Sequence, residues 1–491
     1  MENSILNLNP SNIWKYFYDL TQIPRPSGHM EAITDFIENF GKNLGLETVR
    51  DSANNICIRK PATPGYENKQ TIILQSHLDM VPQSNSDTTF DFTKDAIHAY
   101  VDGEWVKAKG TTLGADNGIG VAATMAILES TDLEHGPLEG LFTTDEETGM
   151  YGAIAVQPGF INGKIMLNLD SELDGELYIG CAGGADVTAQ FQYEDETWIP
   201  KEDIAVKVSL TGLKGGHSGV DIHLGRANAN KLMFRFLKDA LSYDIRLSSV
   251  NGGSLRNAIP REAFATIIVD SKEKYERILE MVDSYEKLFN KEFDGIEDKI
   301  EFKAEFIDIT PEIKLIPKDV QTRLINAVLA CPNNIINMFS EIPDTVETSI
   351  NMALVQSDKG LSEIKFLARS SSESKKDAIC SSIESVFALA SADFIEIGNS
   401  YPGWDPNYQS SILSTMEKVF EQQRGVKPNV KVMHAGLECG ILLSNVPGLD
   451  TVSFGPTIKY PHSPAEMIEI ASVQKFWDYL IAILKQAPNK N

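Results

Sequence analysis

The sequence is short of positive charge, of paired cysteines and of long apolar runs. It has 44 lysines and arginines against 69 acidic residues, a formal net charge of −25. So acidic a surface repels phosphate backbones and anionic headgroups, which disfavours nucleic-acid and membrane partners. The five cysteines, Cys57, Cys181, Cys331, Cys380 and Cys439, are odd in number, scattered and never spaced Cys-x-x-Cys. Neither a disulfide framework nor a thiolate metal site is expected from them. No apolar run approaches the roughly 18 residues that a bilayer span needs. Residues 1–12 lack the basic-then-apolar pattern of a secretory signal. Together these absences point to the reducing cytoplasm.

What is present is the composition of a globular protein, 42% hydrophobic and 23% charged over 491 residues. That length exceeds one ordinary core, so two domains are expected. Trp14, Tyr16, Phe17 and Leu20, then a Pro-rich break at Ile23-Pro-Arg-Pro-Ser27, then Ile33, Phe36, Ile37 and Phe40 read as two helical segments. Short β-rich runs at Thr71–Gln75, Gly140–Thr144 and Lys164–Leu169 alternate with a helix over Val121–Leu128. This alternation predicts an α/β catalytic domain with a mixed, largely parallel central sheet flanked by helices. After residue 186 the character changes to α+β, with a long charged helix from Lys272 to about Phe293, and it returns to α/β near residue 393. The reading is therefore one catalytic domain (1–186 and 393–491) interrupted by an inserted domain (187–392) acting as a lid and dimerisation surface. No internal repeat is visible.

Candidate chemistry lies where strands end. Ser76-His77-Leu78-Asp79 follows an apolar strand, so His77 and Asp79 project the same way, and Asp79 can fix the imidazole tautomer. Leu113-Gly-Ala-Asp-Asn-Gly-Ile-Gly120 presents Asp116 on a tight turn at a helix mouth. Its Gly-x-Gly-x-x-Ala overlap with a dinucleotide fingerprint is rejected, because polar residues 107–112 precede it where an apolar strand is required. Thr143-Thr-Asp-Glu146-Glu147 and Asn168-Leu-Asp170 each follow a buried strand, and Tyr460-Pro-His462 supplies a distant imidazole. Singly, each motif also fits a structural role: a satisfied histidine, an N-cap aspartate, a solvated acidic turn. Taken in order, two imidazoles and three carboxylates suit two zinc ions sharing one bridging carboxylate.

In these motifs the sequence resembles the co-catalytic zinc peptidases, the family of carnosinases, aminoacylases and glutamate-releasing carboxypeptidases. The resemblance runs the full length and is strongest to the Xaa-His dipeptidase group, through Gln75–Gln83, Gly110–Val121, Gly215–Asn230 and Gly455–Pro464. It implies that His77, Asp116 and Asp170 hold one zinc and that Asp116, Glu147 and His462 hold the other, with manganese or cobalt as substitutes. It implies Glu146 as general base, Asp79 as the acid orienting His77, and a cis peptide at Asp116-Asn117. His217 in Gly215-Gly-His-Ser-Gly219 would stabilise the oxyanion, often from the other subunit of a homodimer. Asn257 in Asn257-Ala-Ile-Pro260 and Arg369 would bind substrate, Arg369 through its C-terminal carboxylate. Glu438 in His434-Ala-Gly-Leu-Glu438 would receive the α-amino group, restricting the substrate to a dipeptide. The alternatives are an N-acyl amino acid amidohydrolase or a carboxypeptidase using the same metals, or a non-catalytic binding relative, which predicts a missing ligand or base.

Overall fold

The computed structural model describes residues 4–197, 200–310 and 313–490. The chain forms two compact units. One comprises Met1–Cys181, Trp404–Val432 and Leu437–Asn491, the other Ala182–Gly403 and Met433–Gly436. The sequence reading puts the corresponding divisions at 186/187 and 392/393.

The first unit is α/β. Its main sheet runs, in spatial order, Glu47–Arg50, Ile56–Lys60, Leu138–Thr143, Ile72–His77, Ile165–Asn168, Asp450–Ser453, Glu176–Cys181 and Asn429–Met433. The four strands from Leu138–Thr143 to Asp450–Ser453 are mutually parallel, whereas Ile56–Lys60 and Glu176–Cys181 pair antiparallel beside them. Leu138–Thr143, Ile72–His77 and Ile165–Asn168 are buried at every position. That explains why they read as unbroken apolar runs rather than alternating ones, as strands covered on both faces must.

Helices Ser11–Thr21 and Glu31–Asn43 flank the Pro24–Pro26 break. The first buries Ile13, Trp14, Phe17 and Leu20 along one stripe. Helix Ala115–Glu129 is buried from Ala115 to Leu128, so it shows no stripe. The four parallel strands end at His77, Thr143, Asn168 and Ser453, the edge at which sheets of this kind present their sites.

The second unit holds an antiparallel sheet. Its main path is Glu301–Ile307, Ile204–Thr211, Ala263–Val269, Arg246–Gly252, Val346–Asp358, Leu361–Ser370, Gly183–Gln192 and Phe394–Tyr401. This order conceals a duplication. Ile204–Thr211, helix Ala229–Ala240, Arg246–Gly252, Ala263–Val269, helix Lys272–Glu292 and Glu301–Ile307 make one βαββαβ half. Gly183–Gln192, helix Lys318–Ala330, Val346–Asp358, Leu361–Ser370, helix Glu373–Leu389 and Phe394–Tyr401 make another with the same spatial order of its four strands, the first half being inserted within it. Both halves contribute to one core, with Phe234, Phe236, Phe289 and Phe302 from the first and Phe191, Phe366 and Phe387 from the second.

Within the sheet, among the described residues, the two halves pair at Asn251↔Gln356 and Gly252↔Val355. Gly253 follows with φ +78°, and a Cβ there would overlap the Ala353 carbonyl oxygen. Gly253→Ala is therefore expected to cost at least about 1–2 kcal/mol from its left-handed backbone alone. Urea unfolding reads this as a lowered midpoint, and an unchanged midpoint contradicts the tight join.

Candidate metal centre

The first unit gathers five chain segments at one sheet edge. His77 is the last residue of its strand, and Asp79 follows two residues on. Glu146 and Glu147 lie just beyond Thr143, and Asp170 just beyond Asn168. Asp116 sits in the first turn of helix Ala115–Glu129 with φ −80° and ψ 111°, outside helical geometry, and Gly114 before it is left-handed at φ 71°. Asn117 is also non-helical, at φ −103° and ψ 24°, so the regular helix starts beyond it, and both Asp116 oxygens lie against imidazoles. The Asp116-Asn117 peptide is cis. His462 lies in the loop between Ile458–Lys459 and Met467–Glu469, with φ +58°.

Asp116 stands between two imidazoles. Its Oδ1 is 3.1 Å from His77 Nε2, and its Oδ2 is 3.1 Å from His462 Nε2. Asp170 Oδ1 lies 3.3 Å from His77 Nε2, and Glu147 Oε2 lies 3.0 Å from His462 Nε2. Among the described residues this makes two donor sets that share Asp116: His77–Asp116–Asp170 and Asp116–Glu147–His462. A further set, His77–Glu146–Glu147, puts Glu146 at the same place. Nitrogen and carboxylate donors without thiolate are a set that zinc, manganese and cobalt accept.

The electrostatics are those of crowded, buried acids. Burial works against a charge on His77, yet Asp170, Asp116 and Asp79 together hold its pKa well above the usual imidazole range. Hydrogen bonds to Asp116 and Glu147 raise His462 to about 11. Asp116, although buried, is driven far down by both histidines. The other acids move the opposite way. Burial raises Asp170 to about 6, and raises Glu146 well above the carboxylate range with the help of Asp170, Glu438 and Glu147. Burial, with Asp116 and Asp170 nearby, takes Glu172 to about 8. Such a cluster calls for added positive charge.

Asp79 does more than face His77. Its Oδ1 is 3.4 Å from His77 Nδ1, and its two oxygens also accept from Glu146 N at 3.0 Å, Glu147 N at 3.1 Å and Ser27 Oγ at 2.8 Å. It therefore orients both an imidazole and the acidic turn, and these bonds outweigh its burial to bring its pKa to about 2. Glu438 is buried beside this group, its Oε2 accepting from Gln75 Nε2 at 2.6 Å and Thr143 Oγ1 at 2.8 Å, while Oε1 has no partner. Burial raises Glu438 to about 7.

Sequence reasoning missed two buried groups here. Arg25 donates from Nη1 to the Leu78 and Asp79 carbonyls and from Nη2 to the Gly114 carbonyl. Glu466 accepts from the backbone N–H groups of Leu113, Gly114, Ala115 and Asp116. Arg25 lies in the Pro-rich break and Glu466 four residues beyond His462, but nothing in the spacing of either reveals a partner distant in sequence.

The second unit brings together other expected residues. His217 Nδ1 accepts from Gly219 N at 3.1 Å and Val220 N at 3.0 Å, which leaves the proton on Nε2. Burial and Arg369 lower its pKa, so the ring is a neutral N–H donor. Arg369 is 4% exposed, donates from Nη1 to Tyr401 at 3.0 Å, and has no partner for Nε. His434 bonds Ser349 Oγ at 2.7 Å, and burial followed by Arg369 lowers it to about 3. Gly219 lies against all three: a Cβ there would meet the His434 carbonyl oxygen, His217 Cε1 and Arg369 Nε. Asn257 is exposed, and its carbonyl accepts from Ser218 N at 2.8 Å.

The model of peptidase family M20/M25/M40 matches residues 73–486. The cytosol non-specific dipeptidase of Escherichia coli (strain K12) is 43% identical over 491 residues, spanning 99% of this chain and 100% of that protein. The crystal structure of aminoacylhistidine dipeptidase from Vibrio alginolyticus superposes with a TM-score of 0.93 at 45% identity, covering 99% of each chain. An aminopeptidase from Bacillus cereus, 16% identical with a TM-score of 0.56 over 98% of this chain, shares the fold.

The raised histidines set the direction of a pH dependence. With folded pKa values above neutrality, His462 and His77 carry protons at pH 7 in the metal-free protein, and a cation must displace them. Zinc binding is expected to release at least one proton and to strengthen as pH rises from 6 to 8. Calorimetric titration in buffers of different ionisation enthalpy counts the protons; zero net release contradicts the assignment.

Proposed function

The chain belongs to peptidase family M20/M25/M40, and we propose that it is a metal-dependent dipeptidase, Xaa-His dipeptides included among its substrates. The observation that carries this is Asp116, offering one oxygen to each of two imidazole–carboxylate sets at the ends of parallel strands. It is supported by similarity over the whole length to proteins named as dipeptidases. Two zinc ions, held by His77, Asp116 and Asp170 and by Asp116, Glu147 and His462, would supply an acidified water and Lewis-acid polarisation of the scissile carbonyl.

The chain's own groups do the rest. Glu146 Oε takes the proton from the attacking water and delivers it to the leaving amine nitrogen, a role typically worth about 10²–10⁴-fold in rate. Without metal, burial and the neighbouring acids raise its pKa well above the carboxylate range; the two cations would draw it back down, leaving a carboxylate able to accept the proton. Asp79 keeps His77 and the Glu146–Glu147 turn in register through the four contacts above. His217, with its proton fixed on Nε2, is suited to donate to a carbonyl oxygen as negative charge develops there. Arg369, buried with Nε unpaired, is suited to the substrate carboxylate, with Asn257 as a further contact. Glu438 has one oxygen uncommitted, and that oxygen is the one proposed to meet the substrate's α-ammonium group. We further propose a cytoplasmic homodimer, which sedimentation velocity tests as a single species of twice the chain mass.

Removing the base and removing a ligand should separate cleanly. Glu146→Gln is expected to keep both zinc ions and lose turnover by about 10²–10⁴-fold. Glu147→Ala is expected to lose zinc. Equal metal content in the two variants overturns the division of roles. Wild-type protein should release histidine from β-alanyl-histidine and leave N-acetyl amino acids intact; the reverse preference identifies an amidohydrolase instead.

A further inference from the structure

The turn carrying Asp116 is held from two sides by buried charges that the chemistry above does not use. On one side, Glu466 is 2% exposed, and each of its oxygens takes two consecutive backbone N–H groups. Oε2 accepts from Leu113 at 2.7 Å and Gly114 at 2.9 Å, and Oε1 from Ala115 at 2.7 Å and Asp116 at 3.2 Å. On the other side, Arg25, also 2% exposed, bonds the Gly114 carbonyl at 2.5 Å and the Leu78 and Asp79 carbonyls at 2.9 and 3.1 Å. Space is kept for it: a Cβ on Gly114 or Gly118 would overlap Arg25 Nη2. The guanidinium and carboxylate thus fix the donors and an acceptor of one short turn, each using several bonds to backbone rather than one bond to a mobile side chain.

Each charge also ties that turn to a different imidazole. Glu466 lies four residues beyond His462 in the same loop, so its grip on residues 113–116 sets where His462 stands relative to Asp116. Arg25 grips the backbone immediately after His77, so it sets Asp116 relative to His77. We propose that Arg25 and Glu466 are positioning residues that brace Asp116 between its two imidazoles, Glu466 defining the Asp116–Glu147–His462 position and Arg25 the His77–Asp116–Asp170 position. Arg25 lies outside the stretch matched by the family model, 73–486, so it is a contribution of the N-terminal segment. The proposal rests on the two-cation reading.

Glu466→Gln puts an amide donor against two backbone donors. Arg25→Lys keeps the charge but cannot span three carbonyls. Metal-stripped wild type, both variants and the reference variants His462→Ala and Asp170→Ala are titrated with Co²⁺ alone and followed by visible absorption. In Glu466→Gln, one equivalent should bind with near wild-type affinity and a spectrum like that of His462→Ala, and the other should weaken by about 10–100-fold. In Arg25→Lys the weakened position should be the one lost in Asp170→Ala. For both variants the kcat for dipeptide should fall while KM stays within about twofold. A merely structural role predicts a lowered melting temperature with both affinities unchanged or falling together, and either result overturns the proposal. Wild type failing to bind two equivalents would instead overturn the two-cation reading itself. Should one variant fail to fold, the other carries the test.

Discussion

One shared carboxylate governs the candidate centre. Asp116 lies 3.1 Å from each of two imidazoles, one oxygen to each. Holding it there means concentrating Asp79, Glu146, Glu147, Asp170 and Glu438 at one sheet edge, where their mutual repulsion and burial oppose ionisation. The protein manages this with fixed backbone donors and with imidazoles rather than with many side-chain cations. Asp79 stays ionised despite burial because His77 stands beside it and Ser27 and backbone N–H groups point at it. Burial instead carries Glu172 to about 8 and Glu146 well above the usual carboxylate range. A cluster so short of positive charge is built for divalent cations, and the peptidase family to which the chain belongs gives that charge its use.

The two units divide the labour by chemistry. The parallel sheet delivers strand ends, and successive ends deliver acids and a histidine in register. The second unit delivers a neutral donor and a buried arginine: His217, on the short pair Gly216–His217 and Ala258–Ile259, with its proton fixed on Nε2, and Arg369, on strand Leu361–Ser370, with Nε free. Burial, helped by Arg369, keeps the neighbouring imidazoles uncharged, so this cluster carries one strong cation and two neutral rings. That is a fitting surface for a carboxylate and a developing oxyanion.

Much of this was legible in the sequence because it is local. Strand-then-acid patterns follow from the position of a parallel strand's end, so His77, Glu146, Glu147 and Asp170 could be named from short motifs. The apolar runs and helical stripes gave the α/β class for the same reason. Three features were not legible. The brace by Arg25 and Glu466 depends on contacts between residues 89 and about 350 positions apart. The duplication in the second unit leaves no repeat in the sequence, since a βαββαβ half needs only its pattern of apolar faces, and here one half is threaded into the other. Gly118 read as a turn residue, yet its role is to leave room for Arg25 Nη2. Each of these is a tertiary fact written in residues that look ordinary where they stand.

We propose that dipeptide hydrolysis depends on two cations, held by donor sets that share Asp116. The most direct measurement strips the wild-type protein of metal, adds zinc back in sub-equivalent steps, and follows bound zinc and β-alanyl-histidine hydrolysis in the same samples. The account predicts no hydrolysis without metal and a full rate only as the second equivalent per chain is taken up. Undiminished hydrolysis after stripping, or a full rate reached with one equivalent, would contradict it.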